Sequence, residues 1–370
     1  MTRFARLFLI ALLILLSVPL AGFGPPTLIE SDSASLPVNS AVLRQMNAWR
    51  PPSIVAKAGV LIDATTGQVL FERNAHEHRA PASTTKMMTA LVTLEHAALD
   101  EVVTAGPDVT TVIPSIIGLE PGDKLTVKQM LYGLLLPSGN DAAVALADHV
   151  AGSMPKFAAM MNAEAAEIGL KDTHFVTPHG LDVDGHYSSA YDLAKIANAA
   201  MQNSTFENIV ATTEYGIKGP PAWMFRNLNR LLGTYAGADG VKTGYTDNAG
   251  NCLVFSATRN GRRAISVVLD SDSKWTDSSA LMDYFFANYS WESLDVTGSP
   301  LLDYAGGGQL RRATAKARPQ IILPTWQMPY LRWYFSISDA AASVEGLVGT
   351  ATYYLFGDKA GQIQLYSGGG

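Results

Sequence analysis

Ser83 and Lys86 stand at positions i and i+3 of Ala82-Ser83-Thr84-Thr85-Lys86, ahead of an apolar stretch in which Met87, Leu91 and Leu94 recur at helical spacing. The spacing predicts a helix from Ser83 to about Ala98, and on a helix such residues share a face. The Ser83 hydroxyl would then lie beside the Lys86 amine, near the positive end of the helix. A serine hydroxyl is a weak nucleophile without a base. A lysine can be that base only where burial or a second cation lowers its pKa, and Met87, Met88 and Leu91 offer the burial. The chemistry indicated is acyl transfer through an activated serine. By itself the spacing says little, because Ser153-Met154-Pro155-Lys156 and Ser271-Asp272-Ser273-Lys274 share it. Pro155 disrupts a shared turn unless it stands in the first one, and Ser271 follows a strand. Both are read as structural; only Ser83 opens a long apolar helix.

Two further segments could complete such a site. Ser138-Gly139-Asn140 follows Pro137 on a loop between two predicted helices. A second hydroxyl there could relay a proton to a leaving amine, and the amide could orient Lys86 and hold a substrate carbonyl. The plainer reading is a helix N-cap. Lys242-Thr243-Gly244-Tyr245 falls on a predicted strand, where an edge can pair with an extended peptide. The lysine charge and threonine hydroxyl suit a carboxylate, and Gly244 clears a side chain where backbone and ligand come close. A solvated lysine on an ordinary strand is the plainer alternative.

The elements that must position these groups read as follows. Gly59–Asp63 and Val69–Glu72 flank the turn cluster Ala64–Gly67 as a hairpin. Helical signals run over Val127–Leu136, Ala142–Val150, Phe157–Ile168 and Ala190–Met201. Strands follow at Val241–Gly244, Cys252–Thr258 and Ala264–Leu269, the last two joined by Asn260-Gly261, a strong hairpin turn. Strands at both ends around a helical middle imply an α+β domain with an antiparallel or mixed sheet. From about residue 292 helical periodicity fades, and short strands at Ile321–Leu323, Leu331–Ile337 and Thr350–Phe356 suggest a small β domain. The expected organisation is a signal peptide over 1–24, a linker over 25–50, a catalytic domain over 51–291 and a β-rich domain over 292–370.

Composition is that of an ordinary globular protein. Of 370 residues 48% are apolar and 16% charged, and the net charge of -6 argues against a general nucleic-acid binder. Cys252 is the sole cysteine, so no intrachain disulfide can form, and no metal set or cofactor motif stands out. Arg3 and Arg6 precede the apolar run Leu7–Val18 and then small residues, which marks an exported chain. Pro19 spoils a clean cleavage site, so an uncleaved amino-terminal membrane anchor is the alternative.

Taken together, the three motifs occur in the order that carries serine acyl transfer in penicillin-binding proteins and class A β-lactamases. The sequence resembles the D-alanyl-D-alanine carboxypeptidase family of low-molecular-mass penicillin-binding proteins, over roughly residues 50–290. The likeness extends through Ala80–Thr89, Leu136–Ala143, His174–Asp182, Ser188–Asp192 and Asp239–Thr246. It implies a β-lactamase/DD-peptidase-like antiparallel sheet with a helical cluster, and removal of the terminal D-alanine from peptidoglycan stem peptides. By that resemblance Ser83 attacks the carbonyl between the two D-alanines and Lys86 takes its proton. Ser138 and Lys242 pass a proton to the departing D-alanine, and Asn140 positions Lys86 and substrate. Thr243 binds the terminal carboxylate, and the backbone N–H groups of Ser83 and Tyr245 form the oxyanion hole. β-Lactams would acylate Ser83, and the enzyme would serve cell-wall biogenesis and cell shape outside the cytoplasm.

There are departures and rivals. Some members carry His where Tyr245 stands, and several use an arginine ahead of the third motif, for which Arg226 and Arg230 are nearby. The carboxy-terminal stretch carries no apolar helical stripe, so anchoring through it is not expected. A D,D-endopeptidase is the near alternative. A class A β-lactamase is the remoter one, since Glu164 and Glu167 lie on a predicted helix without the expected surroundings. His179 and His186 are read as loop braces, His76 and His78 as an exposed turn, and Arg311, Arg312, Lys316 and Arg318 as a solvated basic face.

Overall fold

Runs of buried residues along the central strands mark a sheet covered on both faces. The strands are β1 (Ala58–Asp63), β2 (Val69–Arg73), β3 (Ala238–Thr246), β4 (Gly250–Arg259) and β5 (Arg262–Leu269). In the computed structural model, which describes residues 27–30, 50–219, 221–306, 309–337 and 346–367, they form one 5-stranded antiparallel sheet ordered β2-β1-β5-β4-β3. The expected signal peptide lies outside the described residues. Cys252 and Val254 of β4 and Ile265, Val267 and Leu269 of β5 face the helical cluster. Leu253, Phe255 and Ala257 of β4, with Ala264 and Val268 of β5, face the other way. With water excluded from both faces these strands read as nearly continuous apolar runs. The β4–β5 turn falls where expected, with Asn260 and Gly261 at φ 52 and 72, the pairing a two-residue hairpin needs.

Helices α1 (Lys86–His96), α2 (Val127–Leu135), α3 (Asn140–Ala151), α4 (Met154–Ile168), α5 (Ala190–Ala200) and α6 (Ser204–Ala211) belong to the first side of the sheet. Every residue of α1 from Lys86 to Thr93 is buried. A helix apolar on all sides belongs at the centre of a cluster, and α1 packs there against α2, α3, α4 and α5. The small residues of α3 at 142, 143, 145 and 147 are all alanines and all buried, which lets it approach closely. Thr126 and Gln129 start α2 with a capping box. On the opposite side α7 (Lys274–Asn288) covers β4 and β5.

One boundary differs from expectation at a telling place. Ser83 does not stand in the α-helix; Ala82–Thr85 form a separate 3-10 turn, and the α-helix begins at Lys86. Ala82 takes φ 49, a left-handed backbone unfavourable for a residue with a Cβ, which breaks the run into α1. The two competing Ser-x-x-Lys segments sit in structural roles. Ser153 caps α4, its Oγ accepting from the Lys156 N–H, with Pro155 in the first turn. Ser271 Oγ donates to Asp277 and accepts from the Ser273 N–H.

The described residues gather into two compact units, the larger holding 50–292 with Gln320–Trp326. In the larger unit Gln320–Pro324 lies beside Tyr289–Ser293, and Ile322 joins the apolar layer of α7. This segment was expected in the second domain. The other unit contains a 6-stranded antiparallel sheet in the order Thr27–Glu30, Leu331–Ile337, Leu347–Leu355, Asp358–Ser367, Gln309–Ala315, Asp303–Gly306. Thr27–Glu30 was expected within a linker; it is instead an edge strand paired with Leu331–Ile337. In this unit Arg312 pairs with Asp303 and Arg318 with Asp295. Among the described residues no helix is long and apolar enough to cross a membrane.

Asp277 of α7 holds the approach to β1. Its buried carboxylate accepts from the N–H groups of Val55 (3.1 Å) and Ala56 (2.9 Å) and from Ser271 Oγ (2.7 Å). Asp277→Ala leaves these donors without a partner and is expected to lower unfolding free energy by about 3 kcal/mol. Urea denaturation measures this; an unchanged midpoint would show the carboxylate to be dispensable.

Candidate active site

The left-handed Ala82 residue tips the Ala82–Thr85 turn onto strand β3. Gly244 lies under it: a Cβ there would stand 3.1 Å from Ala82 Cβ, 3.2 Å from Pro81 O and 3.3 Å from Ser83 N. The close approach that requires glycine is therefore to the turn bearing Ser83, rather than to a ligand alone as expected from sequence. A second glycine plays the same part behind the turn. Gly180, at φ +84, would place a Cβ 2.0 Å from Ala82 O.

Lys86 begins α1 directly below Ser83, and its amine is fully buried. Nζ lies 2.9 Å from Ser83 Oγ, 2.6 Å from Asn140 Oδ1 and 2.9 Å from the carbonyl oxygen of His179. Burial, and then the nearby Lys242 charge, hold the Lys86 pKa well below its ordinary value, with Asp141 opposing them. A neutral amine has two N–H donors and one lone pair. Asn140 Oδ1 and the His179 carbonyl can only accept, so they take the two hydrogens. The lone pair is then left for the Ser83 hydroxyl. This arrangement can deprotonate a serine as it attacks a carbonyl.

The His179 carbonyl is held by the loop running from His174 to Ser189, which α1 and the turn before it grip. Thr89 Oγ1 donates to Pro178 O, and Thr85 Oγ1 meets His186 Nε2 at 2.9 Å. His186 Nδ1 accepts from Val176 N–H and His179 Nδ1 from Leu181 N–H, so both rings brace the loop in neutral form. Burial lowers their pKa values to about 4 and about 3. At the far end Asp182 accepts from Thr246 Oγ1, tying the loop to β3.

Ser138 lies between α2 and α3 with φ 70, a left-handed residue held at the cleft. It is buried, and its Oγ has no hydrogen-bond partner among the described residues. Asn140 is the first residue of α3 rather than a cap, and no side-chain cap bond is made at that end. On β3, Lys242 is buried and its amine donates to Thr243 O at 3.0 Å. Burial, then the Lys274 charge, brings its pKa down to about 7. β3 is an edge of the sheet, so a substrate backbone can lie along it. Tyr245 is 60% exposed.

Ser83, Ser138, Thr243, Gly244 and Tyr245 line one open cleft of about 460 Å³, with Lys86, Asn140 and Lys242 in the protein behind it. All eight residues singled out from the sequence are thus drawn to one place. Arg230 and Lys274 also line the cleft, beside Trp275 and Asn251. Burial and the Arg230 charge lower the Lys274 pKa. Among the described residues no carboxylate lines this wall, so an acidic protein carries a cationic cleft, which favours an anionic ligand. Lys274 was missed because it belongs to the Ser271-x-x-Lys274 segment set aside as structural. That judgement suits Ser271 but not Lys274. Arg226 is diverted, pairing with Glu214 on an exposed hairpin. Glu164 and Glu167 lie on α4, where Glu164 faces Glu95, and neither lines the cleft.

Comparison with known proteins agrees with this geometry. Residues 45–273 match the family described as D-alanyl-D-alanine carboxypeptidase (Peptidase_S11). The chain is 40% identical over 252 residues to the D-alanyl-D-alanine carboxypeptidase DacF of Bacillus subtilis, covering 65% of this chain and 64% of that one. To DacC of Escherichia coli it is 33% identical over 341 residues, covering 85% and 84%. Among solved structures it is similar to penicillin binding protein 5 from Haemophilus influenzae, with TM-score 0.73, 30% identity and coverage of 86% of this chain and 98% of that one. The Streptomyces K15 DD-transpeptidase gives TM-score 0.61 and 39% identity, covering 64% and 99%. The family match runs from ahead of β1 to the turn before α7 and takes in all three motifs, and the chain therefore belongs to the D-alanyl-D-alanine carboxypeptidase family.

Proposed function

We propose that this protein is a serine-type D-Ala-D-Ala carboxypeptidase that releases the terminal D-alanine of peptidoglycan stem peptides through an acyl-enzyme on Ser83. The observation that carries the reading is the Lys86 amine, 2.9 Å from Ser83 Oγ, with two fixed acceptors taking its other contacts. Substrate lies along β3 with its carboxylate toward Thr243, under the field of Arg230 and Lys274. Lys86 takes the Ser83 proton as Oγ attacks the penultimate D-alanine carbonyl. The N–H groups of Ser83 and Tyr245 receive the oxyanion, worth about 2.7–4 kcal/mol per donor. As the C–N bond breaks, Ser138, whose Oγ has no partner among the described residues, gives its proton to the departing amine and takes up the one Lys86 accepted, with Lys242 beside it. Water then attacks the acyl ester, returning Ser83 and its proton.

The same carbonyl placement accepts a β-lactam, whose ring opening gives a stable ester on Ser83. A substrate in the peptidoglycan places the protein outside the cytoplasm, in cell-wall maturation and shape, and the apolar run Leu7–Val18 would serve as export signal or anchor. Product analysis separates the near alternatives: free D-alanine marks the carboxypeptidase, cleavage of cross-linked dimers the endopeptidase.

Incubation with benzylpenicillin is expected to add one penicilloyl mass to the protein, on the peptide containing Ser83. Ser83→Ala should abolish both this adduct and D-alanine release, and release by a folded Ser83→Ala protein would sink the assignment. The pH profile follows from the two lysines. Acid protonates Lys86 and removes the base, so acylation falls as pH drops. Alkali strips the proton from Lys242 around a pKa of about 7, so kcat/KM for a carboxylate substrate falls as pH rises further. A kcat/KM flat across both limbs would contradict these roles.

A further inference from the structure

Asn140 reaches Lys86 only because something turns its amide the right way. Its Oδ1 accepts from Lys86 Nζ, so its Nδ2 must face elsewhere, and it donates to Pro114 O at 2.6 Å. A carbonyl on one side and an amine on the other satisfy only this orientation. The Asn140 backbone N–H donates to Ser115 O at 2.7 Å. Both carbonyls belong to the irregular, mostly exposed loop over residues 112–119, and Pro114 and Ser115 line the cleft.

That loop has no strand or helix of its own; one carboxylate gathers it. Asp141 is 1% exposed. It accepts from the N–H groups of Ile117 (3.0 Å), Gly118 (2.9 Å) and Leu119 (3.0 Å), and from Ala142 of its own helix (2.9 Å). An ionised carboxylate is the side chain able to accept from so many donors at once. Its neighbour in sequence, Asn140, is the residue the loop then holds.

We propose that Asp141 is a positioning residue for the reaction: by clamping the 112–119 loop it fixes the Pro114 carbonyl, which aims the Asn140 amide, which in turn directs the Lys86 lone pair at Ser83. The inference deepens the proposed function and rests on its use of Lys86 as the base. The charged and titratable groups facing Lys86 are Lys242 on β3, Asp141 on α3 and His179 on the loop running from His174 to Ser189. His179 stays neutral, so Asp141 is the anion in this set and raises the proton affinity of Lys86. The clamp and the charge can be separated.

Asp141→Asn keeps the shape, loses the charge and turns an N–H₂ group toward backbone donors. Asp141→Glu keeps the charge but misplaces the acceptor oxygens. Both should reduce the second-order rate of Ser83 acylation by a fluorescent penicillin by roughly tenfold to a hundredfold. Only Asp141→Asn should move the acid limb of that rate to lower pH, because removing the anion makes Lys86 easier to deprotonate. A folded Asp141→Asn protein with the unmodified protein's rate, or with an unmoved acid limb, overturns the proposal. Amide hydrogen exchange of the unmodified protein tests the clamp without any variant. The Ile117, Gly118 and Leu119 amides should exchange slowly despite their loop setting, and fast exchange overturns it. A protein that never acylates Ser83 would sink the functional reading but would leave the exchange measurement standing.

Discussion

A lysine amine enclosed by protein on every side is the condition from which the rest of this structure follows. In water an ammonium is strongly hydrated and would donate to Ser83 rather than accept its proton. Burial removes that hydration, and Lys242 adds like charge, so the neutral amine becomes accessible. Asp141 offsets part of this. Enclosure explains why α1 is buried over Lys86–Thr93. It also explains why small residues of α3 pack beside it. A helix free to face solvent could not hold such a group.

Enclosure alone would trap the amine in any orientation. Direction comes from acceptors on separate elements: the Asn140 oxygen at the start of α3 and the His179 carbonyl on the loop running from His174 to Ser189. Each is secured by a further contact, Asn140 by the Pro114 carbonyl and the loop by Thr85, Thr89 and Asp182. The backbone contributes as well. Ala82 and Ser138 both take left-handed conformations that ordinarily disfavour residues with a Cβ; Ser138 lines the cleft and Ala82 precedes Ser83, which does too. Such local cost persists only where surrounding packing over-determines it, and at Ala82 the glycines Gly244 and Gly180 supply the room.

The cleft also illustrates how charge is distributed in an acidic protein. The chain carries -6 overall, yet Arg230 and Lys274 line the cleft that holds Ser83, and among the described residues no carboxylate lines it. Burial, and then the Lys274 charge, lowers the proton affinity of Lys242, and burial with the Arg230 charge lowers that of Lys274. An anionic ligand relieves that repulsion on binding, so the same crowding that depresses the lysines favours a carboxylate in the cleft.

By itself the sequence determined the α+β class, the hairpin turn at Asn260-Gly261, the long apolar helix behind Ser83 and the three motif segments, because these rest on local periodicity, turn chemistry and side-chain type. It did not reveal the 3-10 turn at Ala82–Thr85, since a left-handed alanine is imposed by packing and leaves no local signature. Helix α7 was missed because polar residues dominate its first half and leave only a short apolar stripe. The Thr27–Glu30 strand was missed because four residues beside a Pro-rich run gain strand character only from their partner. Nor could sequence show that Lys274 reaches the cleft, or that Asp141 gathers a loop more than twenty residues away. Those contacts join distant segments, and their existence depends on which faces the core brings together, a matter only tertiary structure decides.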